Sequence, residues 1–430
     1  MIYWAQLLHF YQPPTQSHHV LARVCHESYR PLLQVFRDYP YARVTVNMCG
    51  VLTEMLSEHG HGDIIEMLKE LAKNGQIEFT GSGKYHPILP LIPKGEVERQ
   101  IMENARTNRQ FLDSFIPKGF FPPELCYSYD IVEPVLRAGH RWIILSGVAC
   151  PVNWPVDRID EIEFEGESLA VLFRDDILSN KISFRSITSH EFLEHVRQLG
   201  VGGENSYVIT AMDAETFGHH IKNWEIEFLA KVYEQLQPAE QIGKPFQPRM
   251  ALAKQTCNPS GIQGVQMVCL SELLDIFPRG AVIQPKASSW STSKEDIESS
   301  DFYPLWRSKS NEIHKLQWKH LEICLDMVGK ASAWADNEES RNLASTARYF
   351  MDLALHSDQF WWANGKSRWD INLVHKGLLF QKEVILNAYK AINITGIDSF
   401  QKNECYYRLA AARELERRIV DKLLEENPKH

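Results

Sequence analysis

The stretch SYVITAMDAETFGHH, residues 206–220, decides how this chain is read. Its first half is apolar and β-branched, with Tyr207, Val208, Ile209 and Thr210, the composition of a buried strand. Its second half holds Asp213, Glu215, His219 and His220 within eight positions. A strand that ends in two carboxylates and two imidazoles is open to three readings. It runs into a solvated loop, it supplies a metal site, or it carries one half of an acid–base pair whose other half lies elsewhere.

Six further apolar, β-rich runs precede it: 2–10, 42–48, 76–81, 119–124, 141–147 and 169–175. With 207–213 they make seven candidate strands, and several are separated by segments of helical period. In SYRPLLQVFRDYP, Leu32, Leu33, Val35 and Phe36 fall near one stripe. The helical segment 51–75 closes on Gly75, a C′ residue. TSHEFLEHVRQLG opens with Thr188 and Glu191 at capping-box spacing. Strand–helix alternation predicts a parallel sheet with crossover helices, and seven such strands in one domain predict an incomplete (β/α) barrel. Chemistry in such barrels sits at the C-terminal ends of the strands. His9 ends the first run, Glu124 ends the fourth, Asp213 ends the seventh, and Glu78 lies within the third.

Past about residue 235 the rhythm changes. QPAEQIGKPFQP (237–248) reads as a loop and VQMVCLSELLDIFP (265–278) as a helix. Four strong helical patterns follow, at roughly 311–333, 339–356, 372–392 and 398–426. In the first, Ile313, Leu316, Leu321, Cys324 and Val328 mark an amphipathic face. The expected organisation is a barrel domain over 1–290 and a C-terminal helical bundle over 291–430.

Composition narrows the class. There are 46 Lys and Arg against 55 Asp and Glu, a net charge of −9, which argues against nucleic-acid or anionic-membrane partners. The apolar N-terminus MIYWAQLLHFYQPP is too short to span a bilayer and lacks a basic n-region and a cleavage site. Eight scattered cysteines without a CxxC pair fit a reducing compartment, so a cytoplasmic location is expected.

Four stretches carry unusual chemistry. HFYQPP places His9 and Gln12 after the first strand, before two prolines that fix the loop. GQIEFTGSGKYHP buries Glu78 in an apolar run, which is costly unless the charge is paired or functional, and leads to His86. FFPPELCYS presents Glu124 behind two prolines and beside Phe120, Phe121 and Tyr127, which suits a nucleophile next to a sugar-stacking surface. The fourth is the stretch around Asp213, where Phe217 and Gly218 shape the turn.

Together these resemble the conserved regions of glycoside hydrolase family 57. The matches are His9, Gln12 and Pro13; Gly75, Glu78, His86 and Pro87; Glu124; and Asp213, Glu215, Phe217 and Gly218. A fifth region resembles HSDQFWWA, with Asp358, Trp361 and Trp362. Phe121 stands where the family often has Trp. The resemblance implies a seven-stranded incomplete (β/α) barrel with a helical C-terminal region, and a retaining enzyme acting on an α-glucan or oligosaccharide without cofactor or metal. By the same resemblance Glu124 is the nucleophile and Asp213 the general acid and base. A retaining pair lies roughly 5–5.5 Å apart. His9, Glu78 and His86 bind sugar hydroxyls, and Gln12, Phe121, Glu215, His219, Asp358, Trp361 and Trp362 complete the substrate site. Glu215 is expected to orient His219 or a neighbouring loop. Adjacent tryptophans on a helix point about 100° apart, so one of Trp361 and Trp362 is expected to pack and the other to line the sugar site.

Two competitors stand beside this reading. One is a metal-dependent deacetylase or α-mannosidase-like barrel with Asp213, His219 and His220 as ligands. It lacks an Asp-Asp pair or a His-x-His-x-Asp after the first strand, and HGH at 59–61 falls in a helical segment. The other is a non-catalytic glucan-binding homologue. Hydrolysis, transfer and branching stay open, and the sequence sets no oligomeric state.

Overall fold

The computed structural model describes residues 1–199, 205–237, 264–365 and 369–426. Of the predicted loop 237–248, all but the first residue lies outside them. The described residues form two compact units. The first comprises Met1–Gln12, Gln16–Lys84 and Leu89–Trp290, and the second comprises Pro13–Thr15, Tyr85–Ile88 and the chain from Ser291 onward.

Among the described residues the first unit holds ten strands: β1 Ile2–Phe10, β2 Val44–Met48, β3 Ile77–Thr80, β4 Gly119–Phe120, β5 Trp142–Ser146, β6 Ile159–Phe164, β7 Glu167–Arg174, β8 Ser206–Asp213, β9 Val265–Val268 and β10 Arg279–Val282. One sheet runs β3-β2-β1-β8, with β9 beside the first half of β1; the other runs β10-β6-β7-β5-β4. All pairings are parallel except that of β6 with β7. The sheets meet at a parallel bridge between Gly81 and Phe120. At the other seam Asp175 N–H donates to the Ile209 carbonyl at 2.8 Å. The seven predicted strands thus follow one another round an incomplete barrel.

Side chains alternate along each strand. Ala5, Leu7, Phe121, Trp142, Ile144, Ala170, Leu172, Ile209 and Ala211 share one apolar cluster, the barrel interior. Two residues on, the same alternation brings His9, Ser146, Arg174 and Asp213 to the C-terminal ends of their strands. Apolar residues therefore fill the interior, and polar ones close its upper end.

Local signals behave as their chemistry dictates. Thr188 and Glu191 make the capping box of helix Ser189–Gln198. Gly75 takes φ +72°, ending helix Gly62–Lys73. The predicted segment 51–75 is two helices, Gly50–Glu58 and Gly62–Lys73, separated at Gly60, which has φ +78°. The stretch 265–278 is not a single helix. Val265–Val268 pairs with β1 and only Leu270–Ile276 is helical, because the open lower edge of β1 accepts a strand there.

The second unit contains four long helices, Glu312–Trp334, Glu338–Ala354, Ile371–Asn393 and Ser399–Glu426. Ile313, Leu316, Leu321, Cys324 and Val328 are all buried. The last helix buries Cys405, Ala412, Ile419 and Leu423, a seam about one heptad apart. Among the described residues no helix is long and apolar enough to cross a membrane.

Gly119 shows how tightly the short strand β4 is held. A Cβ there would lie 1.8–2.2 Å from indole atoms of buried Trp142, its partner in register. Gly119→Ala is expected to destabilise the fold by about 1–3 kcal/mol through overpacking. Urea unfolding measures this, and a change below about 0.5 kcal/mol would show that Trp142 moves aside freely.

Candidate active site

The upper end of the barrel is organised by one rung of the sheet. His9 is in register with Asp213 on β8 and with Asn47 on β2, and Asn47 with Thr80 on β3. Cross-strand neighbours in register share a face, so all four side chains point the same way. His9 Nδ1 and Asn47 Oδ1 are 2.6 Å apart, and Asn47 Nδ2 donates to Thr80 Oγ1 at 2.9 Å. Since the Asn47 oxygen accepts, the network assigns the proton on His9 to Nδ1.

Glu124 reaches this end from the turn after β4. Pro122 and Pro123 stiffen its approach, and the residue sits at φ 58°, ψ 18°, a left-handed conformation that non-glycine residues seldom adopt. Trp290 holds it twice. Its indole Nε1–H donates to Glu124 Oε2 at 2.7 Å and its backbone N–H to the Glu124 carbonyl at 3.1 Å. The same indole meets the His9 and Phe121 rings edge-on, at 6.2 and 6.1 Å. The Arg174 guanidinium lies 5.8 Å from its centroid. Arg174 is buried and fixed by the Ala211 carbonyl at 2.7 Å, Asp176 Oδ1 at 2.7 Å and Asn180 Oδ1 at 2.8 Å. A continuous set of contacts therefore joins Glu124, Trp290, His9 and Arg174, with Asp213 beside His9.

The carboxylates differ in their partners. Burial pushes the Asp213 carboxyl above its usual range, and the Arg174 charge partly opposes this. Burial and the neighbouring Asp213 charge raise Glu215 as well, while Tyr29 and Gln12 oppose the rise by hydrogen bonding. Gln12 Nε2 donates to Glu215 Oε1 at 2.7 Å, the Tyr29 hydroxyl donates to the same oxygen, and Gln16 Nε2 donates to Gln12 Oε1 at 2.8 Å. These hydrogen bonds oppose the rise without cancelling it, so burial pushes both carboxyls of the pair towards their protonated forms.

Several expected roles change. Glu215 does not orient His219; it holds Gln12 and Tyr29, and His219 Nδ1 instead lies 2.6 Å from Glu27 Oε2. The Gln12 amide is taken up by Glu215 and Gln16, so its part is to position the carboxylate. Phe121 has no exposed surface and stacks on His9 at 4.8 Å, so its ring offers no face to a sugar. Glu78 lies in register with Thr45, two residues below the polar rung. It accepts from Thr45 Oγ1 at 2.8 Å and from Ser271 N–H at 2.9 Å, at the start of helix Leu270–Ile276. Burial pushes its carboxyl above the usual range and these donors partly oppose that, while the rung spacing separates it from Asp213 and His9.

The remaining candidates belong to the helical unit. His86 Nδ1 lies 2.9 Å from Ser357 Oγ, and His86 takes φ 59°. Asp358 Oδ2 lies 3.5 Å from His356 Nδ1. Trp362 packs on the helical core around Ile313, Leu316 and Leu378, and Trp361 meets it edge-on at 4.8 Å. Among the described residues no group of three or more His, Cys, Asp or Glu is placed to hold a metal ion.

Sequence reasoning missed Trp290, Arg174, Asn47 and Tyr29. Arg174 and Asn47 carried the signal that found Asp213, a polar residue closing an apolar strand, while Trp290 carried none.

A parallel α/β barrel with its carboxylates gathered at the C-terminal strand ends is the architecture of a barrel enzyme. The chain belongs to glycosyl hydrolase family 57, whose model matches residues 5–262. It is 28% identical over 241 residues to an α-amylase of Pyrococcus horikoshii, covering 52% of this chain and 37% of that protein. It is 25% identical over 304 residues to a 4-α-glucanotransferase of Thermococcus kodakarensis, covering 67% and 41%. The chain thus spans about two-fifths of the length of these curated relatives. Among solved structures, the branching enzyme of Pyrococcus horikoshii superposes with a TM-score of 0.69 at 16% identity, covering 95% of this chain and 94% of that one. The α-amylase AmyC of Thermotoga maritima gives 0.68 at 15% identity, covering 95% and 96%. Both similarities support the fold.

Tyr29→Phe removes one donor from buried Glu215. Because the folded-state pKa of Glu215 is raised, the group is protonated well below neutrality and ionised only as pH rises through that value. The variant is expected to lose about 1–3 kcal/mol of stability at pH 9 and less at pH 5. Urea unfolding at the two pH values measures the difference, and an equal loss at both would remove the charge from the account.

Proposed function

We propose that this chain is a retaining glycosidase or transglycosidase acting on α-1,4-linked glucose polymers or oligosaccharides, with residues 1–290 as its catalytic domain and 291–430 as a helical domain. The observation that carries the reading is the contrast between two carboxyl groups at the C-terminal strand ends. Glu124 accepts the Trp290 indole N–H, which fixes the direction of its carboxylate. Asp213 lies in surroundings that raise its pKa, which favours its neutral form. A carboxylate held in place and a second carboxyl kept protonated by burial suit a nucleophile and a general acid. The family, and relatives named α-amylase and 4-α-glucanotransferase, support the substrate class.

In the proposed reaction a Glu124 oxygen attacks the anomeric carbon as the glycosidic bond breaks. Asp213 gives its proton to the departing oxygen. A covalent glycosyl-enzyme forms, and Asp213, now a base, takes a proton from the water or sugar hydroxyl that releases it. Trp290 positions Glu124 through the contacts described above, and the Arg174 charge acts on Asp213. Glu215, held by Tyr29 and Gln12, packs beside Asp213 as a buried positioning group.

Incubation with maltoheptaose and amylose tests the reading. Shorter sugars alone mean hydrolysis, products longer than the substrate mean transfer, and new α-1,6 linkages mean branching. Glu124→Gln is expected to lower kcat by at least about a thousandfold. In Glu124→Ala, azide is expected to restore turnover and to yield a glycosyl azide of inverted configuration. Full activity in Glu124→Gln rejects the assignment.

The first step needs Asp213 protonated, and its raised pKa extends that form to higher pH than an ordinary aspartate allows. kcat/KM is expected to fall as pH rises through that pKa, and Asp213→Asn to remove this alkaline limb together with most activity. An alkaline limb unchanged in Asp213→Asn would assign it to another group.

A further inference from the structure

Of the eleven tryptophans, ten are buried or half-buried, and Trp154 is the most exposed, at 40%. It lies between β5 and β6 on a loop that leaves the C-terminal end of β5, the barrel end that carries Glu124 and Asp213. Pro151, Val152 and Asn153 are exposed with it.

The loop is held at both ends. Asp176 Oδ2 accepts from Ser146 Oγ at 2.8 Å and from Val148 N–H at 3.0 Å, while Asp176 Oδ1 accepts from Arg174. Lys286 N–H donates to the Ala149 carbonyl at 2.9 Å, and Tyr207 N–H to the Val156 carbonyl at 2.8 Å. The indole is seated as well. Its ring centroid lies 6.0 Å from that of Phe173, and Gly147 leaves it room, since a Cβ there would lie 2.9 Å from two indole carbons. Phe173 is the outward-facing neighbour of Arg174, so Trp154 sits on the barrel rim and not among the inward-facing residues.

A tryptophan whose six-membered ring is seated on Gly147 and Phe173 while two-fifths of the residue stays in solvent is an unusual use of a large apolar group. Its ring offers an apolar face to the C–H groups of a pyranose and an N–H to a hydroxyl. Arg174 links this rim to Trp290 and thus to Glu124, which places the platform and the carboxylates on one connected structure. We propose that Trp154 is a stacking platform for a glucose unit remote from the bond being broken, a subsite engaged by long α-glucan chains. This rests on the glucan-acting function proposed above.

The test compares the wild type, Trp154→Ala and Trp154→Phe by kcat/KM on maltoheptaose and maltotriose, with calorimetric titration of maltoheptaose and size-exclusion chromatography. For Trp154→Ala, kcat/KM on maltoheptaose is expected to fall about three- to tenfold further than on maltotriose, and Trp154→Phe to recover most of the loss. Binding of maltoheptaose should weaken in parallel. Equal effects on the two sugars, or no effect in an enzyme that turns over both, overturn the platform and leave the glucan function standing. A wild type that neither binds nor cleaves maltoheptaose overturns both. A dimer present in the wild type and lost in Trp154→Ala assigns the ring to a second copy and also overturns the platform.

Discussion

The structure depends on the register of β1 with its two neighbours. Pairing His9 with Asp213 on one side and with Asn47 on the other puts these side chains on one rung and one face. Strand side chains alternate with a period of two, so a slip by one residue would exchange every inward group for an outward one. Leu7 and Ala211 would leave the apolar interior, and Asp213 would turn away from the barrel axis. The hydrogen bonds from His9 to Asn47 and from Asn47 to Thr80 can form only in the observed register. The polar rung therefore helps to specify the barrel as well as to furnish its upper end.

Given that register, the carboxylates are sorted by their donors. Glu78 has Thr45 and the Ser271 amide, Glu215 has Tyr29 and Gln12, and Glu124 has Trp290. For Glu78 and Glu215 these donors oppose the effect of burial without cancelling it, so both carboxyls stay above their usual range. Asp213 lies near a cation, Arg174, and yet burial raises its pKa too. Proton placement in this region thus follows from burial first, with donors and the guanidinium as smaller corrections.

All seven barrel strands were legible because each is a compact apolar run with a turn or helix signal beside it. β9 was not, since Val265, Gln266, Met267 and Val268 running into a helix show no clear period, and it took the open edge of β1 to make them a strand. The β6–β7 hairpin did carry a signal, Glu165 and Gly166 at φ 50° and 86°, the backbone of a tight two-residue turn. Glu124 and Asp213 were legible from their places at strand ends. Glu78 gave the same outward sign for another reason, because its charge is answered by Ser271, 193 residues away. The Glu124–Trp290 bond spans 166 residues, and nothing local to either residue announces it. Charges out of place can be read along a chain, but their partners are chosen by the fold.

Glu124 also shows what that partner does. Successive left-handed residues at Glu124 and Leu125, φ 58° and 49°, cost about 1–3 kcal/mol each outside glycine. Folding alone would favour glycine or asparagine at such a turn. The carboxylate stands there because the turn aims it where an extended strand end could not, and Trp290 offsets the strain by binding both its backbone carbonyl and its side chain. One residue from the far end of the first unit thus fixes the conformation and the direction of Glu124 together. A substitution that kept the ring and removed the N–H would separate aim from charge, since the backbone bond would still hold the turn while the anion lost its donor.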